Sequence, residues 1–203
     1  QSGRILGYEV LARWLHPDRG LLAPAEFLPL AEESGLLTDL GNRMLRDSLA
    51  QLARWRATGH PFAQCHLSVN VGTRQLVDPG FFDRVSDALA ETGIDADSLW
   101  LEITETALLS DVKAATVALR ELRGLGLHLS VDDFGTGYSS LTYLKRFPVE
   151  TIKIDRSFVS GLASDHAAAT IVAAIIDLAH ALGLIVIAEG VESEDQLAVL
   201  REL

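Results

Sequence analysis

The sequence is poor in the features that staple a protein, anchor it in a bilayer or fit it to a charged polymer. A single cysteine, Cys65, excludes an internal disulfide, and six scattered histidines give no zinc-binding spacing. A reducing compartment fits that usage. The longest apolar stretch, around Ala167 to Ile176, stops at Asp177. It falls short of the roughly 20 residues that span a bilayer, so no membrane contact is expected from this segment. Basic residues are scarce: 17 Lys and Arg face 28 Asp and Glu, a net charge of −11. A nucleic-acid polymer needs a basic footprint and is disfavoured, whereas a small anionic ligand stays compatible if cations lie between it and the acids. There is no Walker A sequence, no Gly-x-Ser-x-Gly elbow and no three-glycine dinucleotide fingerprint. P-loop enzymes, serine hydrolases and nicotinamide dehydrogenases therefore lose support. The chain opens at Gln1 rather than Met and has no signal-peptide pattern, which reads as a segment of a longer protein.

What is present is an ordinary globular composition, 48% hydrophobic and 22% charged over 203 residues, enough to bury a sizeable core. Short β-branched runs alternate with longer stretches of helical period, the pattern of βα units and a mainly parallel sheet. The expected strands are Ile5–Trp14, His66–Val71, Leu99–Thr104, His128–Asp132, Thr151–Asp155 and Ile185–Ala188. The expected helices are Pro24–Ser34, Asp39–Ala57, one opening at Asp78-Pro79 and running to about Glu91, then Asp111–Leu122, Asp165–Leu182 and Ser193–Leu203. No linker or internal repeat divides the chain, so one domain over residues 1–203 is the simpler reading. A closed βα barrel uses eight strands. Six strands imply a barrel with missing pieces, or else a doubly wound open sheet.

The polar residues fall late in those strands: Asn70, Glu102, Asp132 with Asp133, Lys153 with Asp155, and Glu189 directly after Val186-Ile187-Ala188. In a parallel sheet all C-terminal strand ends share one edge, where α/β proteins hold their active sites. Alternate strand residues share a face, grouping Ser68 with Asn70, Glu102 with Thr104, Ser130 with Asp132 and Lys153 with Asp155. Val69, Ile103, Val131, Ile152 and Ile154 would then meet the helices. Several carboxylates on one rim repel one another unless a cation is present, and oxygen-only donors select hard divalent ions, Mg²⁺ or Mn²⁺ before Zn²⁺. Metal-assisted phosphate chemistry follows as the leading class. Taken singly, each acid has a plainer reading as a helix N-cap or surface charge, and Lys153 as a paired core lysine. The number of such strand ends decides for the metal site. The run Asp132-Asp133-Phe134-Gly135-Thr136-Gly137-Tyr138-Ser139-Ser140-Leu141 adds a Gly-rich loop whose backbone N–H groups can approach a phosphate.

Taken in order, these segments resemble the EAL family of cyclic di-GMP phosphodiesterases. The resemblance is carried by Gly7 to Trp14 (Gly-Tyr-Glu-Val-Leu-Ala-Arg-Trp), Pro24-Ala25-Glu26-Phe27 with Ala31-Glu32, Ser68-Val69-Asn70 with Gln75-Leu76, and Leu101 to Glu105. It continues through Asp132 to Leu141, Ile152 to Val159, and Ala188 to Glu192, so that it covers essentially the whole chain. It implies a TIM-like (β/α) barrel of the EAL type, incomplete here, which hydrolyses cyclic di-GMP to linear pGpG with two Mg²⁺ or Mn²⁺ ions in bacterial second-messenger signalling. By the same resemblance Glu9, Asn70, Glu102 and Asp132 would hold one metal and Asp133 would help hold the second. Lys153 would sit at the attacking water and phosphate, and Glu189 would act as metal ligand or general base. Arg13 would hold a phosphate oxygen; it shares strand parity with Glu9, and its plainer reading is a barrel ion pair. Glu105 would anchor the Gly-rich loop, and Glu192 reads more simply as a capping residue of the last helix.

The signature reads Glu9-Val10-Leu11 rather than Glu-Ala-Leu, and Val10 has opposite parity to Glu9, so its extra methyls should press on helices and spare the ligand. The family's first strand and its last barrel segment, with a Gln-Gly motif, find no counterpart in the sequence, so the resemblance implies a single domain over residues 1–203 that is truncated at both ends. The resemblance also implies a homodimer in the parent protein, fusion to sensory or cyclase domains, and a bacterial cytoplasmic location with any membrane anchor on other domains. The rival from another class is an inactive EAL-type receptor or protein-interaction module. Such members usually lose acids or the Asp-Asp loop, and this sequence keeps both.

Overall fold

The computed structural model describes residues 3–136 and 144–203. The last five residues of the Gly-rich run, Gly137-Tyr138-Ser139-Ser140-Leu141, lie outside them. Six strands hydrogen-bond in the order β1-β4-β5-β6-β7-β8: β1 Gly7–Val10, β4 His66–Val71, β5 Leu99–Thr104, β6 His128–Phe134, β7 Thr151–Ile154 and β8 Ile185–Ala188. The pairs β1–β4, β6–β7 and β7–β8 are parallel. Helices α1 (Pro24–Glu33), α2 (Leu37–Ala57), α4 (Phe81–Thr92), α6 (Val112–Gly124), α8 (His166–Ala181) and α9 (Glu194–Glu202) lie within a few residues of the expected ranges. Among the described residues no helix is long and apolar enough to cross a membrane.

Two compact units divide the chain: residues 1–102 with 121–128, and 103–120 with 129–203. In the first, Leu67, Val69 and Val71 of β4 are buried, as are Leu45, Leu49 and Leu52 on one stripe of α2 and Phe81 and Val85 on α4. The alternation of β4 and the 4-then-3 spacing on α2 put these side chains on single faces. In the second, Ile154, Val159, Leu162, Val172 and Ile176 form one apolar cluster. Caps end the helices where the sequence supplies them. Asp165 accepts from the Ala167 N–H at 2.8 Å to open α8, and Gly93 in the left-handed region (φ 64°) closes α4.

Three expectations need correction. The run Ile5–Trp14 is not one strand: β1 ends at Val10, and Trp14–His16 (β2) pairs antiparallel with Gly20–Leu22 (β3). The intervening Pro17-Asp18-Arg19 is a turn whose backbone N–H groups at Asp18 and Arg19 donate to His16 Nδ1 at 3.1 and 3.3 Å. Three short helices went unforeseen, α3 (Thr73–Leu76), α5 (Glu105–Ser110) and α7 (Arg156–Val159), each opening within two residues of a strand end. The cap of α9 is Ser193, which exchanges hydrogen bonds with Gln196, and not Glu192.

Candidate active site

Strand β6 builds the densest part of the site by breaking its own alternation. Val131 pairs with Ile152 and Phe134 with Ile154, so β6 advances three residues while β7 advances two. The extra residue is a β-bulge at Asp132-Asp133, with Asp133 in the left-handed region at φ 52°. In a regular strand two successive carboxylates face opposite sides. Here Asp132, Asp133 and Glu189 each offer an oxygen within 4.8 Å of the others. Aspartate is among the few side chains that tolerate positive φ, because its short polar group bonds locally.

Lys153, on β7 between fully buried Ile152 and Ile154, is 5% exposed. An ammonium so buried requires opposing charge, and Nζ lies 2.5 Å from Glu189 Oε1 and 3.2 Å from Asp132 Oδ1. Among the described residues Asp132 Oδ1 is buried and, apart from its ion pair with Lys153, has no hydrogen-bond partner. Three carboxylates converging on one point make an all-oxygen donor set, which fits a hard divalent cation.

The loop after β6 is tied back through Glu105, which is buried on α5 and accepts from the Gly135 N–H at 3.3 Å. Gly135 is itself left-handed (φ 98°), and the Thr136 N–H and hydroxyl both donate to the Asp133 carbonyl, at 3.3 and 2.8 Å. Thr136 thus holds the Asp133 carbonyl, and Glu105 holds the Gly135 amide beyond it.

In the first unit, Glu9 pairs in register with Ser68, and Asn70, two residues on, donates its side-chain N–H to Glu9 Oε1 at 2.8 Å. That bond uses the amide nitrogen and not the oxygen, which is the metal-ligating atom of asparagine. Glu102 is 3% exposed between fully buried Leu101 and Ile103. Arg13 is exposed and lies beyond the end of β1, donating to the Ala12 carbonyl at 2.8 Å, so strand parity with Glu9 does not extend to it. Asp155 leaves the rim as well: it caps α7, accepting from the Ser157 N–H at 3.0 Å, and the Ser157 hydroxyl bond, the largest influence, holds its carboxyl below the usual aspartate range. The plainer reading as an N-cap holds for this acid. Sequence reasoning missed the bulge, although Asp-Asp-Phe-Gly, with two residues tolerant of positive φ, carried its signal.

The family model of the EAL domain matches residues 1–203. The chain is 43% identical over 202 residues to the bifunctional diguanylate cyclase/cyclic di-GMP phosphodiesterase MucR of Pseudomonas aeruginosa, covering 100% of this chain and 29% of that protein. A second cyclic di-GMP phosphodiesterase of the same organism is 41% identical over 200 residues, covering 98% of this chain and 34% of its own length. The chain thus spans about a third of the length of these relatives. A solved structure of the MucR phosphodiesterase in complex with c-di-GMP superposes with a TM-score of 0.92 at 42% identity, over 98% of this chain and 80% of that one. These matches identify the sheet and its helices as those of the TIM-like barrel of that fold, and on its sequence and its structure alike the chain belongs to the EAL domain family.

Proposed function

We propose that this chain is a metal-dependent phosphodiesterase that hydrolyses one phosphodiester of cyclic di-GMP to give linear pGpG. The observation that carries this reading is the cluster of Asp132, Asp133 and Glu189 within 4.8 Å, with buried Lys153 paired to two of them. Support comes from MucR, named for this activity and solved with c-di-GMP. Two ions, Mg²⁺ or Mn²⁺, would supply Lewis acidity there, lowering the pKa of a water and offsetting charge on phosphoryl oxygens.

The chain's own residues do the rest. Asp132 and Asp133 hold metal, and the same role is proposed for Glu9, Asn70 and Glu102. Lys153, paired with its two carboxylate neighbours, orients the attacking water and a phosphate oxygen. Glu189, 24% exposed at its side chain, is the carboxylate with access to the water's proton, as general base or as ligand. Arg13, which is exposed, binds a phosphate oxygen of the substrate. Glu105 holds the loop that follows Asp133. Further domains in the parent protein, and a homodimer, belong to the same reading.

The test is formation of pGpG from cyclic di-GMP by the purified chain with Mn²⁺ and with chelator. Metal-dependent product supports the enzyme. A folded chain that binds the nucleotide without turnover, under every divalent ion tried, would make it a receptor.

A further inference from the structure

The segment Asp155 to Val159 follows the candidate lysine and is not used by the chemistry above, yet it touches the backbone of both loops that carry the second unit's acids. Helix α7 is one turn long, fixed at its start by Asp155, which accepts from the Ser157 N–H at 3.0 Å and the Ser157 hydroxyl at 2.5 Å. On one side the Phe158 ring lies against Gly135, two residues past Asp133: a Cβ there would be 3.0 Å from Phe158 Cε2 and 3.2 Å from Cζ. On the other, Arg156 lies against Gly190, the residue after Glu189, where a Cβ would fall 2.7 Å from Arg156 Cβ. Both glycines are left-handed, at φ 98° and 65°, so each turn is available to glycine and each lets α7 approach the main chain. The Glu189 N–H donates to the Ile154 carbonyl at 3.0 Å, which ties the second loop to the same strand end.

We infer that α7 is a spacer between the two loops, and that Phe158 is a positioning residue which sets the Asp133-to-Glu189 separation and thereby the metal affinity. The Phe158 ring is seated on the apolar cluster of Ile154, Val159 and Val172, so its edge presents a fixed surface to Gly135. With the ring gone, the turn loses the larger of its two apolar neighbours and keeps the Glu105 bond, the Thr136 bonds and the contact with Ile175. The inference rests on the metal-dependent reading, and it concerns where the ligands are held and not what they do.

The experiment is Mn²⁺ titration by calorimetry on the 203-residue chain, with amide exchange over residues 133–136, for wild type, Phe158→Ala, Phe158→Leu and Val159→Ala. Partners outside the ligand shell typically change metal affinity by about 10- to 100-fold. Phe158→Ala should weaken Mn²⁺ by at least about tenfold and speed exchange at Gly135, with Phe158→Leu between it and wild type. Val159→Ala, fully buried on the same helix but turned to the core, should lower the melting temperature and leave Mn²⁺ affinity within about twofold of wild type. Phe158→Ala binding Mn²⁺ as wild type does, or Val159→Ala weakening it equally, overturns the inference; Phe158→Leu decides if the alanine variant does not fold. Wild type that binds no Mn²⁺ sinks the metal reading itself, a result read before any variant is compared.

Discussion

The Lys153 ammonium lies 2.5 Å from Glu189 Oε1, and the bond joins the middle of β7 to the residue just past β8. Its second carboxylate, Asp132, is 3.2 Å away and buried. Lys153 thus holds two strand ends together, and the chemistry proposed for it separates from that role on substitution. Lys153→Met removes the ammonium that pairs with Glu189 and Asp132 while filling much of the same volume. Breaking a buried pair from one side costs about 3–5 kcal/mol, so the variant should melt well below wild type in chelator. Mn²⁺ should raise its melting temperature more than it raises that of wild type, because the ion then replaces the positive charge that Lys153 supplied to Asp132 and Glu189. Turnover should fall by at least about 100-fold even at saturating Mn²⁺, a loss of the size expected for one preorganised electrostatic group. Equal Mn²⁺ stabilisation of both proteins would separate Lys153 from the metal site.

Asp133 distinguishes conformation from charge. At φ 52° its backbone is accessible to asparagine but strained for alanine by about 1–2 kcal/mol. Asp133→Asn and Asp133→Ala should both lose metal-dependent hydrolysis. Denaturant titration without metal should nevertheless find the alanine variant less stable than the asparagine one. Equal stability would mean that the bulge relaxes once the carboxylate is gone.

Periodicity made the regular parts of this molecule legible. The alternation of β4 and the 4-then-3 stripe of α2 predict which side chains are buried, and Leu67, Val69, Leu49 and Leu52 are. Lateness in or just after a strand drew attention to Asp132, Lys153 and Glu189, which the structure brings together, because a parallel sheet carries its strand ends to one edge. What stayed hidden was local and irregular. The bulge that brings Asp133 beside Asp132 depends on pairing with β7, a partner some 20 residues away, and no period within β6 encodes it. Arg13 was misplaced because parity was extended beyond Val10, where Pro17 and Gly20 turn the chain into a hairpin of its own. Asp155 looked like a rim acid because strand and N-cap are adjacent positions, and only the Ser157 bonds separate them.

Gly7 sits opposite His66 in the β1–β4 register, and a Cβ on it would meet the imidazole at 2.1 Å. The ring has little freedom to yield, being stacked on Trp100 at 4.5 Å and 20°, with His128 on Trp100 at 4.9 Å. Gly7→Ala should therefore cost about 1–3 kcal/mol, the usual range for overpacking, and shift Trp100 fluorescence as the column opens. Gly7→Ala combined with His66→Ser should be less destabilised than the sum of the two single changes, since the smaller side chain removes the collision. Additive losses would show that the ring moves aside freely.

The same column gives the fold a defined pH dependence. Burial first, and the charge of His128 second, hold the His66 imidazole below its ordinary value of 6.5. Between that lowered value and 6.5 the unfolded chain binds more protons than the folded one, so stability rises with pH through this window. The contribution of His66 is complete above the window, falls as pH drops through it, and levels off below the folded-state value. Denaturant midpoints at pH 7.5 and at successively lower pH should therefore fall for wild type and fall less for His66→Gln. His128→Gln should also flatten the profile, by removing the neighbouring charge, but by less than His66→Gln, because burial of His66 remains. Identical profiles for wild type and His66→Gln would assign the acid sensitivity to the carboxylates alone.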